Sequence, residues 1–151
     1  MRHVIIGCGA AGVSAALAIR KHDTKSSIVM IAKQKQPPYS LCSLPAVLAG
    51  EMEPSKIVRF PRGYFEDLDV DLRLEAEVTK ILPSDRRVVV DGGRKLKYDM
   101  LLISTGSSPL VPPIDGIDKR GVFTLMNLED CRRILRYVRR GVRHAVVIGA
   151  G

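Results

Sequence analysis

The sequence predicts an α/β fold in which a parallel sheet is joined to an antiparallel β-meander. An apolar run at 3–6 ends in a glycine-rich turn, a helical pattern follows at 10–22, and a second apolar run lies at 27–32. Strand, helix and strand in this order form a βαβ unit with parallel strands. Three short strand-like segments separated by turn residues then lie between 76 and 99, as is typical of a meander.

The remaining elements follow from apolar spacing and from turn residues. Short helices are predicted at 43–50, where Pro45 fits the first turn, and at 61–68. Alternating apolar residues at 70–74 predict a third strand of the parallel sheet. The apolar run at 99–105 predicts a buried strand that ends in Thr105-Gly106.

The C-terminal third begins with a proline-rich connector at 107–118 and continues with an arginine-rich helix. Asn127 is a suitable cap for that helix, acidic residues occupy its first turn, and arginines fill its last turns before Gly141. Its predicted apolar face consists of Cys131, Ile134, Leu135 and Val138. A further buried strand is predicted at 144–148.

We expect the parallel strands in the order 70–74, 28–32, 3–6 and 99–103. This order leaves 99–103 as an apolar edge of the sheet. We expect that edge to be covered by a partner chain or by the strand at 144–148.

Composition excludes several classes of protein. Of the 151 residues, 46% are apolar and 26% charged, which indicates a folded chain rather than a disordered one. No apolar run reaches the roughly 18 residues of a membrane span, and glycines interrupt the apolar N-terminal segment that could resemble a signal peptide. We therefore expect a cytoplasmic protein with no membrane partner. Cys8, Cys42 and Cys131 are an odd number at no metal-like spacing, so we expect neither a disulfide framework nor a metal site.

The net charge of +8 raises the question of nucleic-acid binding. The arginines are densest at 132–143, where one solvated helix face explains them. Aromatic residues make up only 5% of the chain, which leaves few platforms on which bases could stack. A basic nucleic-acid-binding module is the least favoured interpretation, and we expect no nucleic-acid partner.

The segment Gly7–Gly12, called the glycine turn below, has the pattern G-x-G-x-x-G. In this pattern the first glycine permits a tight turn, the second lets the backbone approach a pyrophosphate, and the third lets helix and strand pack closely. The N-terminus of the following helix offers free N–H groups to the phosphates. Because the pattern lies between a strand and a helix, it predicts dinucleotide binding. The predicted binding residues here are Gly7, Gly9, Ala10, Ala11 and Gly12.

An acidic residue that holds the ribose hydroxyls is expected about 20 residues further on, at the end of the second strand. This sequence has Ala32, Lys33 and Gln34 there instead. Either backbone and water hold the ribose at Ala32 and Lys33, or affinity for the adenosine half is reduced. Lys33 could also indicate a phosphate-bearing nucleotide, although a lysine in a polar loop is usually only solvated.

Four segments together resemble one family. They are GCGAAG at 7–12, PPYSLCSLP at 37–45, TGSSP at 105–109 and VVIGAG at 146–151. In this order they are similar to the N-terminal part of the FAD-dependent pyridine nucleotide–disulfide oxidoreductase family, in its branch of coenzyme A-disulfide reductases and NADH oxidases. The resemblance spans the whole chain and implies a Rossmann-like FAD-binding sheet that is incomplete at its C-terminal side.

The resemblance also implies roles for individual residues. The glycine turn would bind FAD, Thr105 and Gly106 would lie by the flavin, and Val78 would contact the adenine region. The second glycine phrase would open an NAD(P)H-binding domain. Cys42 would be the redox cysteine, which attacks a disulfide or is oxidised by peroxide.

The sequence around Cys42 bears on that role. A thiolate just before a predicted helix would be stabilised by the helix N-terminus. The alternative is a small buried thiol, which is the usual environment of a free cysteine. Pro38 and Leu41 stand where that branch has serine and asparagine contacting substrate, which argues against a coenzyme A substrate.

The domain organisation that the resemblance implies is a first segment of an FAD-binding domain at 1–115 and a linker and helix at 116–141. The first strand and truncated glycine turn of an NAD(P)-binding domain would follow at 142–151. In the family, the last strand of the flavin domain returns from beyond the NAD domain, and a dimerisation domain follows, so we expect a homo-oligomer in full-length form.

The resulting functional expectation is the FAD-binding portion of an NAD(P)H-dependent oxidoreductase. Hydride would pass from nicotinamide to FAD, and electrons would pass on to Cys42 and a disulfide, oxygen or other small-molecule acceptor. We expect this chain alone to be inactive. The alternative is a truncated, non-enzymatic nucleotide-binding domain.

Overall fold

The computed structural model describes residues 1–149, and these form two compact units. The first unit consists of Met1–Tyr39 and Val58–Ser107. The second consists of Ser40–Ile57 and the chain from Ser108 onward. The units follow compactness within the chain, whereas the domain bounds 1–115, 116–141 and 142–151 stay a prediction.

The strands of the first unit form two sheets. They are β1 (Arg2–Ile6), β2 (Ser27–Ile31), β3 (Val70–Arg73), β4 (Val78–Leu82), β5 (Arg87–Val90), β6 (Arg94–Lys97) and β7 (Met100–Ile103). The parallel sheet has the order β3-β2-β1-β7, and β4-β5-β6 form the antiparallel meander. Both the predicted fold class and the predicted strand order are confirmed.

The helices of the two units are short except for the first and the last. They are α1 (Ala10–His22), α2 (Leu44–Leu48), α3 (Arg62–Asp67) and α4 (Leu128–Val138), with a 3₁₀ turn at Leu41–Ser43. The helix α1 has the predicted bounds. The helix predicted at 43–50 is shorter, because the chain enters it through the 3₁₀ turn.

The parallel sheet is covered on both faces, which explains why its strands are almost continuously apolar. Ile5, Met30 and Phe65 belong to a buried cluster together with residues of α1. Val4 and Val88 belong to a second cluster, which packs the meander on the opposite face. Successive residues of a strand point to opposite faces, so β1 alone supplies side chains to both clusters. This packing fixes the carboxyl ends of the parallel strands.

One partly buried arginine, Arg20, holds the end of α1 in place. The guanidinium of Arg20, whose side chain is 11% exposed, donates to the carbonyls of Leu68 (2.8 Å), Asp69 (2.7 Å), Asp23 (3.1 Å) and Ser26 (3.0 Å). These carbonyls lie where α1 leads into β2 and where α3 leads into β3. The Arg20 side chain therefore links the α1–β2 connection to the α3–β3 connection by hydrogen bonds.

The second unit packs α2 against α4. Asn127 caps α4 by accepting a hydrogen bond from the Asp130 backbone N–H at 2.9 Å, as predicted. Cys131 is fully buried, whereas Val138, predicted on the same apolar face, is 43% exposed. Arg133 and Arg136 are exposed and lie close to Asp130 and Glu129, respectively.

The strand predicted at 144–148 does not form. Residues 142–149 have no regular secondary structure, and Val146, Val147 and Ile148 are 89%, 83% and 74% exposed. An apolar run becomes a strand only where a neighbouring strand takes up its backbone hydrogen bonds. No described strand pairs with this segment. The last two residues of the VVIGAG phrase, Ala150 and Gly151, lie outside the described residues.

The strand β7 lies at the edge of the parallel sheet, as predicted, but it is not the buried strand that the apolar run at 99–105 predicted, because no further strand covers this edge among the described residues. Met100 and Ile103 are 54% and 58% exposed, although β7 pairs with β1 along its whole length. Among residues 1–149, no helix is long and apolar enough to cross a membrane.

Candidate functional site

The candidate site lies at the carboxyl ends of β1 and β7. From β1 the chain order runs through β2 and β3 on one side of the sheet, while β7 lies on the other side. Such a reversal leaves a crevice outside the carboxyl ends of the strands, and open α/β sheets bind ligands there. The glycine turn follows β1, and Ser104–Gly106 follow β7.

Gly7 makes the tight turn that the motif requires. Its φ of +105° is rarely adopted by a residue with a side chain, and a Cβ there would lie 2.2 Å from the Ser104 carbonyl oxygen. The Gly7 N–H donates to the carbonyl of Ile31 at 2.8 Å. The first glycine therefore sits against two neighbouring strand ends at once.

Gly12 serves a different purpose. Its φ is not in the left-handed region, but a Cβ would lie 2.2 Å from the Gly7 carbonyl oxygen and 2.9 Å from the Ser104 Oγ. Only glycine lets α1 approach the end of β1 this closely. The third glycine of the motif is thus a packing residue.

Gly9 differs from both, because no atom lies within 4 Å of the Cβ that it lacks. Nothing in the described protein needs a glycine here for space, and its φ of −74° suits any residue. Open space at the middle glycine fits a ligand that approaches the backbone from outside.

The first turn of α1 is also free to bind an anion. Ala10 and Ala11 are exposed, no side chain caps the helix, and its first turn contains no acidic residue. The first N–H groups of a helix have no intrahelical partner and carry the positive end of the helix dipole. Together with the open position at Gly9, these groups fit the pyrophosphate of a dinucleotide.

Ser104 belongs to the site, although the sequence did not predict it. Its Oγ lies 3.0 Å from the Ile6 carbonyl and 3.2 Å from the Gly7 carbonyl, and its hydroxyl donates to them. This side chain joins the end of β7 to the glycine turn. Thr105 and Gly106 follow directly and are exposed, and Gly106 has a φ of +73°. A polar residue immediately after an apolar strand was the available signal.

A second residue that the sequence did not predict, Glu77, lies near the end of β2. Ala32 is buried, and Lys33 reaches out to Glu77, with its Nζ 2.9 Å from Oε1. Ala76 donates its N–H to the Ala32 carbonyl at 3.1 Å, so the segment before β4 runs alongside the end of β2. Val78, the first residue of β4, is half-buried and packs against the second core cluster.

The three cysteines have different environments. Burial raises the pKa of the Cys8 thiol to about 11 and also raises that of Cys131, although a backbone hydrogen bond and Arg132, respectively, act in the opposite direction. Both thiols therefore stay neutral near pH 7. Cys42 is exposed, lies in the 3₁₀ turn of the second unit and is unpaired, as are the other two cysteines. Among residues 1–149 no group of three or more His, Cys, Asp or Glu residues could hold a metal ion.

Comparison with known proteins identifies the family. The model of the pyridine nucleotide-disulphide oxidoreductase family matches residues 1–151. The chain belongs to this family. Its members are FAD- and NAD(P)H-dependent oxidoreductases, as the resemblance of the four segments implied.

Individual family members are similar over nearly all of this chain. The NADH oxidase of Methanocaldococcus jannaschii is 36% identical over 158 residues, which cover 100% of this chain and 35% of that protein. The NAD(P)H coenzyme A polysulfide/persulfide reductase of Pyrococcus horikoshii is 34% identical and covers 98% and 34%, respectively. The chain thus spans about a third of the length of these curated relatives.

A solved structure shares both the fold and a comparable level of identity. The NAD-dependent persulfide reductase from A. fulgidus is 34% identical and has a TM-score of 0.85, over 93% of this chain and 28% of that one. All three family members are named as oxidoreductases that use a nicotinamide nucleotide.

Proposed function

We propose that this chain binds FAD at the glycine turn and forms the FAD-binding portion of an NAD(P)H-dependent oxidoreductase. The observation that carries the proposal is the contrast among the three glycines. Gly7 and Gly12 are needed for packing within the protein, whereas Gly9 borders empty space. A glycine beside open space, in a chain of this family, supports a backbone surface that a ligand approaches.

Different residues would bind different parts of the cofactor. The N–H groups of Gly9, Ala10 and Ala11 would hold the pyrophosphate, because they lie at the uncapped N-terminus of α1. Thr105 and Gly106 would lie by the flavin, at the carboxyl end of β7. Ala32, Lys33 and Val78 would border the adenosine half.

When bound, FAD would supply the ring that accepts a hydride from nicotinamide and passes electrons to an acceptor. Cys42 would be the redox cysteine, and its exposure leaves the thiol accessible to a disulfide or peroxide. The acceptor would be a disulfide, oxygen or another small molecule. An NAD(P)-binding domain would begin at 142–151, where the second glycine phrase lies.

The surroundings of β7 support a larger assembly. Its exposed apolar edge suits a further parallel strand, and we place that strand in the remainder of a full-length, homo-oligomeric oxidoreductase. We also propose a cytoplasmic location, no membrane or nucleic-acid partner, and domain bounds at 1–115 and 116–141.

Flavin binding is tested by a visible absorption spectrum. The chain is mixed with FAD, passed through a gel-filtration column and scanned in the visible range. We expect a yellow chromophore that elutes with the protein. A colourless protein peak, even after incubation with excess FAD, would contradict the proposal.

The role of Cys42 needs a separate experiment. Peroxide oxidises a thiolate to a sulfenic acid and releases hydroxide, and dimedone traps the product. We expect trapping in the native wild-type chain and in Cys8→Ser, and none in Cys42→Ser. Equal trapping in Cys42→Ser and wild type would rule out Cys42 as the redox cysteine.

A further inference from the structure

The dinucleotide site lacks an acidic residue at the end of β2. Rossmann-type sites hold the adenosine ribose with a carboxylate that follows the second strand. Here β2 ends at Ile31, and the next residue, Ala32, is 7% exposed and has no polar side-chain atom. A ribose at this position would find no side-chain acceptor on the strand itself.

A carboxylate from elsewhere in the chain reaches the same place. The segment before β4 runs beside the end of β2, with the Ala76 N–H donating to the Ala32 carbonyl at 3.1 Å. Glu77, the next residue, pairs with Lys33 through Oε1, 2.9 Å from Nζ. The glycine turn adjoins this point, because the Gly7 N–H donates to the carbonyl of Ile31.

The backbone of Glu77 is held firmly. Its N–H donates to the Asp91 Oδ1 at 2.7 Å, and its carbonyl accepts from the Asp91 N–H at 3.1 Å. Two hydrogen bonds to one residue of the meander fix the position from which the side chain extends. The carboxylate therefore extends from a backbone position that hydrogen bonds hold on both sides of the residue.

The carboxylate also has capacity for a ligand. The Glu77 side chain is 51% exposed, and a carboxylate offers about four acceptor positions, of which Lys33 uses one. Since exposed ion pairs contribute little to stability, the fold itself gains little from this pair.

We infer that Glu77 provides the carboxylate that accepts hydrogen bonds from the adenosine ribose hydroxyls, and that Lys33 positions it. The inference rests on the proposed FAD site and names a residue that replaces the missing acid after β2. Lys33 is a positioning residue, because its ammonium group holds Oε1 and leaves Oε2 for the ribose. An adenosine half with both ribose hydroxyls is therefore the form that this site prefers.

The test compares competitors that differ only in the ribose. FAD is titrated into the full chain with flavin fluorescence as readout, and is displaced by AMP or by 2′,3′-dideoxy-AMP. We expect wild type to bind AMP about tenfold more tightly than the dideoxy compound, as for hydrogen bonds to a charged group. In Glu77→Ala we expect FAD to bind about tenfold more weakly and the two competitors to become equivalent.

The matched control is Glu75→Ala, which removes an exposed carboxylate two residues away. Glu75→Ala keeps wild-type FAD affinity and the preference for AMP if the inference is correct. Glu77→Ala with the wild-type preference for AMP would overturn it while leaving FAD binding intact. A wild-type chain that binds no FAD would contradict the proposed function and this inference together.

Lys33→Met separates positioning from phosphate recognition. We expect this variant to lose part of the preference for AMP and to keep the wild-type melting temperature. If wild type instead prefers adenosine 2′,5′-bisphosphate to AMP, and Lys33→Met abolishes that preference while Glu77→Ala does not, Lys33 reads a phosphate and the inference fails.

Discussion

The three glycines of one short motif have three separable purposes. Gly7 turns the chain, Gly12 allows α1 to touch the end of β1, and Gly9 borders open space. The sequence predicted this division from the pattern alone, and the structure supplies its physical reasons. Substitutions at Gly7 and Gly12 should therefore lower the stability of the fold, whereas a substitution at Gly9 should weaken ligand binding alone.

Gly12→Ala tests the folding side of this division. The new methyl group would lie 2.2 Å from the Gly7 carbonyl oxygen, so strand and helix would have to move apart. We expect a loss of about 3 kcal/mol in the free energy of unfolding, measured by urea denaturation. Gly63→Ala in α3 is the control, since its Cβ meets nothing within 4 Å. Equal stability of the two variants would contradict the packing role.

Cys8 gives a prediction about alkaline pH. Burial raises its pKa from 9.0 to about 11 in the folded state, so the unfolded chain loses this proton first as pH rises. The contribution of Cys8 to stability is therefore fully present below pH 9 and is lost as pH rises through about 11. Urea denaturation at pH 8 and pH 10.5 should show a smaller decline in Cys8→Ala than in wild type. An equal decline in the free energy of unfolding of both proteins would contradict the role of Cys8.

Glu77 shows where reasoning from the sequence stops. The sequence shows Ala32 where an acidic residue is expected after β2. The residue that we infer replaces it, Glu77, lies much further along the chain, just before β4. Only the pairing of the segment before β4 with the end of β2 brings the two together. The position of Ser104 after an apolar strand was visible in the sequence, but its role was not, because its partners are the backbone carbonyls of Ile6 and Gly7.

The junction between α1 and β2 is held by side chains that bond to backbone. Arg20 donates to four carbonyls, and the carboxylate of Asp23 accepts from the N–H groups of Lys25 and Ser26 and from the Ser26 hydroxyl. Neither arrangement follows from apolar periodicity, which predicted the helix bounds correctly. The connection between α1 and β2 therefore depends on Arg20 and Asp23, which the apolar pattern does not distinguish from other polar surface residues.

Arg20→Met should destabilise the first unit. It keeps the apolar stem but leaves four carbonyls without their donor, and hydrogen bonds to charged groups are the stronger ones. We expect a loss of about 3 kcal/mol in the free energy of unfolding. The neighbouring Lys21→Met removes an exposed charge and should stay within about 0.5 kcal/mol of wild type. A similar small effect for both variants would show that the bonds are dispensable.

Asp23 adds a prediction at acidic pH. The Ser26 hydroxyl, then the backbone N–H groups of Ser26 and Lys25, lower the pKa of this carboxyl below its ordinary value of 3.8. Its contribution to stability is present above pH 3.8 and is lost as pH falls through the lower folded-state pKa. Thermal melts should show Asp23→Ala well below wild type at pH 6 and closer to it at pH 2. A gap that does not change with pH would speak against this role.

In the C-terminal segment, the sequence pattern predicted an element that does not form. The apolar run at 144–148 has the composition of a buried strand, yet it is exposed and has no regular structure. Composition describes what a segment can form, whereas a strand also needs a partner. The same reasoning predicted the strand β7 correctly, because β1 pairs with it, but did not predict its exposure.

The fold of the first unit was largely predictable because local and tertiary signals agree. The βαβ unit, the meander and the strand order β3-β2-β1-β7 all follow from periodicity and turn chemistry. The grouping of residues 40–57 with α4 in a second unit was not predictable, since it depends on contacts between distant segments. The proposed FAD site combines both cases, because the glycine turn was recognisable in the sequence whereas its acidic neighbour Glu77 was not.

FAD titration of wild type and Gly9→Ala tests the proposed binding surface most directly. The added methyl group meets no protein atom within 4 Å, and alanine costs at most about 1 kcal/mol at this capping position. We predict near-wild-type urea denaturation and FAD affinity reduced at least about tenfold, because the methyl group occupies the approach of the pyrophosphate. Unchanged FAD affinity in Gly9→Ala, or no FAD binding by wild type, would contradict the account.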